Sequence, residues 1–266
     1  MTAIITLTTD FGLADNFVGV MKGVILKING AAKLVDLTHE IRPFDLASAA
    51  FALGSAYRFF PDDTVHLAVV DPGVGSARSI LAVRAAGQFF IAPDNGLLSS
   101  ILEEAPGFEA RRVEEPDFWI HPVSRTFQGR DIMAPVAAHL SLGVKLARLG
   151  PLAEDIVRLP RPKVQSGPGR ILGRVIYVDR FGNLITNIPE ELAVRVEGRS
   201  PVVKVGGLTV TGFSRAYADR APGEPLAVFG GSGNLEIARF QARAEAPPDL
   251  AAGTPVTLEW SPDREE

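Results

Sequence analysis

The chain has 266 residues, of which 46% are hydrophobic and 22% are charged, and its formal net charge at neutral pH is -4. This balance is typical of a globular protein, and the negative charge argues against nucleic acid or an anionic membrane as the main partner. There is no cysteine, which excludes disulfides and cysteine-ligated metal sites. The sequence has neither a signal peptide pattern nor an apolar run that could span a bilayer, so we expect a cytoplasmic protein.

Strands and helices alternate in the first part of the chain. Short β-branched runs predict strands over residues 3–9, 32–37, 64–70, 79–84 and 88–92, the last two as a pair joined across Ala86 and Gly87. Apolar residues at helical spacing predict helices after Asp15 and over residues 46–59 and 97–104. A further helix is predicted from Asp131, as its cap, to about Leu142. This alternation predicts an α/β domain with a mainly parallel sheet.

The pattern changes after residue 150, where prolines at 151, 160, 162 and 168 stand among polar residues. We interpret residues 151–170 as a linker. Beyond the linker, short predicted strands separated by Gly and Pro follow one another, at residues 171–178, 184–187, 202–205, 208–211, 225–229, 235–238 and 255–260. The sequence therefore predicts an α/β domain over residues 1–160 and an all-β, barrel-like domain over residues 170–266.

The loop after the strand at residues 64–70 carries Asp71 and, seven residues later, Arg78. Pro72 and the glycines at 73 and 75 favour a tight turn that could fold the arginine back toward the aspartate. A plain surface ion pair is the alternative, and such a pair contributes little to stability. We favour a functional pair, because open α/β sheets carry their chemistry at the ends of strands.

The other carboxylates and amides in predicted loops are candidates of the same kind: Asp10, Asn95, Asp131, Asp179 and Asn183. Asp and Asn also favour turns for local reasons, so part of this set is expected to be turn chemistry alone. The glycine-rich runs at 73–78 and 230–234 match neither a dinucleotide fingerprint nor a P-loop. The four histidines are scattered without metal-ligand spacing, and we predict no metal site.

Eight short motifs occur in order along nearly the whole chain: residues 9–12, 35–39, 43–45, 68–78, 92–99, 126–135, 179–187 and 232–238. On these motifs the chain resembles the S-adenosyl-L-methionine (SAM) hydroxide adenosyltransferase family, the SAM hydrolases related to the SAM-dependent fluorinase and chlorinase. The resemblance implies an N-terminal α/β domain, a C-terminal β-barrel and a homotrimer with each active site between two subunits. It also implies attack of water on the ribose 5′ carbon of SAM, which yields adenosine and methionine without a metal or other cofactor.

The resemblance assigns Asp71 and Arg78 to the first two positions of an Asp–Arg–His set that activates water in the family hydrolases. Gln128 stands where these hydrolases typically carry histidine. A glutamine can position water but cannot accept its proton at neutral pH. Two readings therefore remain open: Asp71 and Arg78 suffice for hydrolysis, or the protein uses another nucleophile or only binds SAM or adenosine.

The resemblance also implies substrate contacts. Asp10 resembles the residue that holds the two ribose hydroxyls, and Phe44 the aromatic side chain that packs on the nucleoside. Asp179 and Ser232 resemble the groups that hold the methionine ammonium and carboxylate. Phe181, Asn183 and Ala242 match the part of the family site that receives adenine. Asn95 lies in the matching segment at 92–99.

Halogenation is the nearest alternative reaction. The fluorinase-like pattern has serine where Gly129 stands, and tyrosine and threonine in place of Asp71 and Val74. The carboxylate of Asp71 would repel a halide at close range, so we expect hydrolysis rather than halogenation.

Overall fold

The computed structural model of the chain describes residues 2–193, 196, 199–245 and 250–260. The chain forms two compact units that divide between Leu159 and Pro160. No helix within the described residues is long and apolar enough to cross a membrane.

The first unit contains one six-stranded sheet with the strand order β2-β1-β3-β5-β4-β6. Its strands are β1 (Ile4–Thr9), β2 (Lys33–Thr38), β3 (Val65–Val69), β4 (Ile80–Ala85), β5 (Gln88–Pro93) and β6 (Glu109–Arg112). The first four in space, β2, β1, β3 and β5, are parallel, whereas β4 is antiparallel to both β5 and β6. The expected mainly parallel sheet is thus not confirmed, and the sheet is mixed.

The antiparallel part of the sheet has a local cause. The turn between β4 and β5 consists of Ala86 and Gly87, with φ values of 49° and 77°. Two consecutive residues with positive φ form the kind of two-residue turn that joins antiparallel strands. The sequence predicted this strand pair, but β6, on its outer side, was not predicted.

Helices cover both faces of this sheet: α1 (Phe17–Ile28), α2 (Leu46–Ala56), α3 (Ser99–Glu104) and α4 (Ala134–Ser141). Along β3, Leu67 and Val69 belong to the core that includes residues of α1 and α4. The alternating Ala68, and Val70 directly after the strand, belong to the core formed with α2 and α3. A strand that is buried on both faces in this way is apolar at nearly every position, and β3 is buried throughout, with His66 as its one polar residue.

The helix predicted from Asp131 is preceded by a π-helical turn, Gly129–Met133. Asp131 lies inside this turn and therefore does not cap the helix. Its carboxylate is buried and accepts hydrogen bonds from the Arg130 side chain and from the Ser124 backbone N–H, at 2.6 Å and 2.8 Å. Burial opposes ionisation of Asp131, but these hydrogen bonds and the charge of Arg130 hold the pKa of the carboxyl below its usual value.

The second unit is an antiparallel, barrel-like sheet. Its described strands are β7 (Gln165–Gly167), β8 (Arg170–Val178), β9 (Leu184–Pro189), β10 (Val202–Val205), β11 (Leu208–Thr211), β12 (Pro225–Phe229), β13 (Asn234–Arg239) and β14 (Pro255–Glu259). Seven of them follow the order β11-β10-β14-β8-β9-β13-β12, and the two end strands β11 and β12 lie against each other. β7, which pairs with β8, lies within the predicted linker.

Candidate functional site

Three polar residues follow neighbouring strands of the first sheet. Asp10 comes directly after β1, Asp71 two residues after β3, and Asn95 two residues after β5. Because β1, β3 and β5 are adjacent and parallel, their carboxyl ends share one edge of the sheet, the usual position of ligand sites in open α/β sheets. The loops that carry all three residues therefore leave the sheet at the same edge.

Asp71 and Arg78 form a bidentate, largely buried ion pair. The Arg78 Nε donates to Asp71 Oδ1 at 2.9 Å, and the Arg78 Nη2 donates to Asp71 Oδ2. The side chains are only 10% (Arg78) and 5% (Asp71) exposed. A planar guanidinium that contacts both carboxylate oxygens fixes the orientation of both groups, unlike a mobile surface pair. The plain surface pair considered from the sequence is therefore not what the structure has.

The turn between Asp71 and Arg78 depends on a glycine. Gly75 has φ of +77°, and a Cβ at this position would lie 2.5 Å from the backbone oxygen of Arg125. Only a residue without a side chain allows this close approach in this conformation. The turn thus brings the Asp71 loop against the segment that leads to Gln128.

Gln128 completes the cluster, since its side-chain oxygen accepts a hydrogen bond from the Arg78 Nη2. It stands immediately before the π-helical turn. The neighbouring Phe127 is held by edge-on contacts with Phe11 and Phe17. The three residues that the sequence predicted to be catalytic, Asp71, Arg78 and Gln128, are thus in one hydrogen-bonded cluster.

A cavity of about 190 Å³ adjoins this cluster, and its lining includes Arg78, Gln128, Trp119 and Ile132. A water molecule takes about 30 Å³ in the liquid, so the cavity has room for a few waters next to the Arg78–Gln128 contact.

Asn95 supports the same region from the next strand. Its side-chain N–H group donates to the Val70 carbonyl at 2.9 Å, and its side-chain oxygen accepts from the Leu97 backbone N–H at 3.2 Å. Asn95 therefore fixes the chain beside Asp71, and both ends of its amide already have partners in the protein.

Asp10 contacts Phe44 rather than the Asp71 cluster. The backbone N–H of Phe44 donates to Asp10 Oδ2 at 2.9 Å. Phe44 has φ of 70°, which is unusual for a residue with a side chain, and its ring is exposed. Strained backbone of this kind persists where the surroundings hold it, and it occurs often at ligand sites.

In the second unit, a tight hairpin between β8 and β9 carries Asp179, Phe181 and Asn183. Asp179 Oδ1 accepts from the backbone N–H groups of Phe181 and Asn183, each at 2.8 Å, and Oδ2 accepts from the Asn183 side chain at 2.9 Å. A carboxylate offers about four acceptor sites, so this turn uses most but not all of its capacity. The exposed Phe181 ring projects from this hairpin.

The hairpin lines a pocket of about 590 Å³ in the second unit. Four predicted residues are part of the lining: Asp179, Phe181, Asn183 and Ala242. Ser232 is not; it lies in the turn between β12 and β13, and its buried hydroxyl has no hydrogen-bond partner among the described residues. The pocket combines an exposed aromatic ring with polar groups of the hairpin, as a site for a flat, polar ring system requires.

Two residues near this pocket were not predicted from the sequence. Tyr217, in the lining, donates to Glu236 Oε2 at 2.8 Å, and Glu236 is buried. Burial and the nearby charge of Asp179 raise the pKa of the Glu236 carboxyl, although the Tyr217 hydrogen bond opposes this. No sequence pattern pointed to this burial, because a residue between Leu235 and Ile237 in a strand faces the opposite side of the sheet, which is commonly the exposed one.

Comparison with protein families finds two matches that together span most of the chain. Residues 5–150 match the N-terminal domain of the SAM hydroxide adenosyltransferases, and residues 173–257 match their C-terminal domain.

Among curated proteins, the (R)-S-adenosyl-L-methionine hydrolase of Salinispora tropica is 39% identical over 262 residues, which cover 94% of each chain. The protein of the same name from Thermus thermophilus is 39% identical over 264 residues, covering 94% of this chain and 97% of its own. A fluorinase from an Actinoplanes species is 31% identical over 288 residues, covering 96% and 97%.

Among solved structures, an uncharacterised conserved protein from Thermotoga maritima superimposes with a TM-score of 0.90 at 37% identity, covering 96% of this chain and 99% of the other. A conserved hypothetical protein from Thermus thermophilus superimposes with a TM-score of 0.78 at 36% identity, with the same coverage.

Proposed function

Because the chain belongs to the SAM hydroxide adenosyltransferase family, we propose that it is an enzyme that hydrolyses SAM to adenosine and L-methionine. The observation that carries the proposal is the Asp71–Arg78–Gln128 cluster at the carboxyl edge of the sheet. The relatives that are 33–39% identical over most of the chain are named as hydrolases of the (R) form of SAM. We therefore include the configuration at sulfur in the test.

The proposed reaction is a single displacement. The oxygen of water forms a bond to the ribose 5′ carbon while the bond from that carbon to sulfur breaks. The sulfur takes the bonding electron pair and leaves as the neutral thioether of methionine, and the water gives up a proton. Because the sulfonium is already a good leaving group, the enzyme has to supply in-line geometry and a water oriented for attack.

Each member of the cluster has a role in this scheme. Asp71 accepts a hydrogen bond from the attacking water and draws its proton away. Arg78 holds Asp71 and Gln128 in place and stabilises the negative charge that develops on the water oxygen. Gln128 binds the water without taking its proton.

We propose that the remaining residues hold the substrate. Asp10 binds the two ribose hydroxyls, and Phe44 packs on the nucleoside. Phe181, Asn183 and Ala242 contact adenine, a role supported by the pocket around the exposed Phe181 ring. Two residues bind the methionine part: Asp179, through its remaining acceptor capacity, and Ser232, through its unpartnered hydroxyl.

We propose that Asn95 supports the Asp71 loop within the site. Its hydrogen bond to the Val70 carbonyl favours this role. The water-activating role then belongs to residues 1–160, and the adenine and methionine contacts belong to residues 170–266.

We further propose a cytoplasmic homotrimer in which each active site combines the first domain of one subunit with the second domain of the next. The exposure of Phe44 (69%) and Phe181 (75%) supports an assembly, because both are large apolar rings that a bound nucleoside or a neighbouring subunit could cover. The mass of the particle by light scattering tests the trimer directly.

The hydrolase proposal is tested by incubating the protein with the separated (R) and (S) forms of SAM and measuring nucleosides by chromatography. We expect adenosine and methionine in equal amounts, with faster turnover of the (R) form. Asp71→Asn and Arg78→Ala should lower turnover at least about 100-fold, as loss of a group that acts on the nucleophile does, while adenosine still binds. Absence of adenosine above the protein-free control would overturn the proposal.

The same experiment separates the alternatives. Tight adenosine binding without turnover would indicate a SAM or adenosine binding protein. A 5′-halogenated nucleoside formed in the presence of fluoride or chloride would indicate a halogenase. The Asp71 carboxylate disfavours a bound halide. The serine of the fluorinase-like pattern would also add a Cβ at position 129, which would lie 3.3 Å from Val69 and 3.4 Å from Met21.

A further inference from the structure

A buried histidine outside the proposed catalytic cluster links three polar side chains of the first unit. His39 Nδ1 lies 2.9 Å from the Thr9 hydroxyl, and His39 Nε2 lies 3.0 Å from Asp36 Oδ1. The other Asp36 oxygen accepts from Lys22 Nζ at 2.6 Å. His39 and Thr9 are both buried, whereas Asp36 and Lys22 are partly exposed.

The contacts determine which group donates and which accepts along this series of side chains. A carboxylate only accepts hydrogen bonds, so the His39 Nε2 that lies 3.0 Å from Asp36 carries the hydrogen, although its N–H is not aligned for a hydrogen bond to this oxygen. In the neutral ring Nδ1 then accepts, and the Thr9 hydroxyl donates to it. Burial opposes ionisation of Asp36, but the hydrogen bond from Lys22 and the close approach of His39 hold the pKa of its carboxyl below the usual value. The carboxylate thereby fixes the ring and, through the ring, the hydroxyl.

His39 holds the chain on both sides of Asp10. On one side its ring binds the Thr9 side chain, and the Thr9 oxygen also accepts from the Phe11 backbone N–H at 3.3 Å. On the other side the His39 carbonyl accepts from the Gly12 backbone N–H at 2.8 Å. The parallel pairing of β1 with β2 shifts register between Leu7 and Thr8, directly before this segment. Such irregularities redirect the chain, which then needs other contacts to fix it.

We propose that His39 and Asp36 are positioning residues that fix the Asp10 carboxylate for binding the two ribose hydroxyls, acting through Thr9. The inference rests on the proposed function, because it takes the Asp10 ligand to be a ribose. A carboxylate that binds two adjacent hydroxyls needs both oxygens correctly aimed, and small displacements weaken such binding strongly. Phe44 holds one Asp10 oxygen directly, and the His39 contacts hold the backbone that carries the residue.

Two neighbouring threonines give a matched test. Thr9→Val removes the hydroxyl that contacts His39 and keeps the branched shape. Thr8→Val makes the same change one residue earlier, where the buried hydroxyl has no hydrogen-bond partner among the described residues. Affinities for adenosine and for 2′,3′-dideoxyadenosine are measured by calorimetry with each full-length variant.

The wild type should prefer adenosine, because only adenosine offers the two hydroxyls. We expect Thr9→Val to reduce this preference about tenfold, the effect of one hydrogen bond that no longer forms correctly. Thr8→Val should leave the preference unchanged, and Thr9→Ser should restore most of it. Asp36→Ala should reduce the preference about threefold, because it frees the ring without removing it.

Thr9→Val should add nothing to the effect of Asp10→Asn, since both act on the same contact. Equal losses for the two nucleosides, or equal effects of Thr8→Val and Thr9→Val, would overturn the inference. A wild type without any preference would overturn it as well. A wild type that shows the preference but releases no adenosine from SAM would overturn the hydrolase proposal and leave this inference standing.

Discussion

Arg78 donates a hydrogen bond to the side-chain oxygen of Gln128, 50 residues further along the chain. An amide has its oxygen and its N–H group on opposite sides, so this contact turns the Gln128 N–H group away from Arg78. Gln128 therefore presents a donor to its other neighbours. In the proposed reaction it donates to the oxygen of the attacking water and leaves proton removal to Asp71.

The orientation of Gln128 leads to a first prediction. Gln128→His should raise kcat at least about tenfold, since an imidazole can also accept a proton. The variant should show a new limb in its pH profile near the ordinary histidine value of about 6.5. Gln128→Glu should lower kcat, because it replaces the donor with a charged acceptor. Steady-state kinetics at several pH values check both changes, and an unchanged rate in Gln128→His would mean that the glutamine does not limit the chemistry.

The proposed subunit arrangement predicts recovery of activity in mixed trimers. Asp71→Ala damages only the first domain and Asn183→Ala only the second, so each variant alone should be inactive. Random mixing should restore about a quarter of the wild-type activity, because each mixed ring contains one site built from two intact domains. The measurement is turnover after co-expression of the two variants. If each site lay within a single chain, mixing would restore nothing.

The burial of His66 leads to a prediction of how the free energy of unfolding depends on pH. It is fully buried in β3, with Nδ1 2.8 Å from the Thr6 hydroxyl and Nε2 2.9 Å from the Gln88 side-chain oxygen. Burial lowers the pKa of His66 from 6.5 to about 4. The unfolded chain therefore binds a proton in this range that the folded chain does not, so stability is lost as pH falls from about 6.5 toward 4.

The loss from His66 should amount to about 3 kcal/mol at pH 4, from a shift of about 2.5 pH units. Urea unfolding at fixed protein concentration gives the free energy of unfolding, and the NMR shift of the His66 ring gives its titration directly. His121 is exposed, so His121→Asn serves as a control that should leave the pH dependence unchanged. A His66 ring that titrates near 6.5 in the folded protein would contradict the prediction.

Alanine substitutions at two neighbouring glycines test whether the buried Glu236 carboxyl is held in place. A Cβ at Gly230 would overlap the Glu236 carboxyl, whereas a Cβ at Gly231 meets nothing within 4 Å. Gly230→Ala should therefore displace Glu236 from Tyr217 and lower the free energy of unfolding by about 1–3 kcal/mol, the usual cost of overpacking. Gly231→Ala should change it by no more than about 0.5 kcal/mol. Equal stabilities of the two variants would show that Glu236 can move without loss.

Much of the fold follows from local patterns in the sequence. β3 is apolar at every position except the buried His66 because both faces of the sheet are covered, and the Ala86–Gly87 turn indicated the β4–β5 pair. The antiparallel direction of β4 within an otherwise parallel arrangement of strands, and the addition of β6, depend on which strand pairs with which. Such pairings are not encoded in the period of hydrophobic residues, and the four-residue β6 has little apolar pattern of its own.

In the candidate site, contacts within one turn could be predicted from the sequence, whereas contacts between separate elements could not. Asp71 and Arg78 lie seven residues apart around a turn, so local sequence indicated their contact. The contact of Arg78 with Gln128 joins separate elements, and only resemblance to a family pointed to it. The link between His39 and Thr9 was missed, because a histidine between Thr38 and Glu40 gives no sign of its partner 30 residues away.

The π-helical turn Gly129–Met133 has a consequence for how this fold can change its chemistry. A π turn contains one residue more than the α-helical turn it replaces, so a single-residue deletion could convert it to regular helix. That deletion would rotate the preceding residues by about 100° around the helix axis and turn position 128 away from Arg78. The strand ends that carry Asp10 and Asp71 would keep their places in the sheet. The residue proposed to face the nucleophile is thus on a separately adjustable part of the chain, and the group proposed to hold the sugar need not move with it.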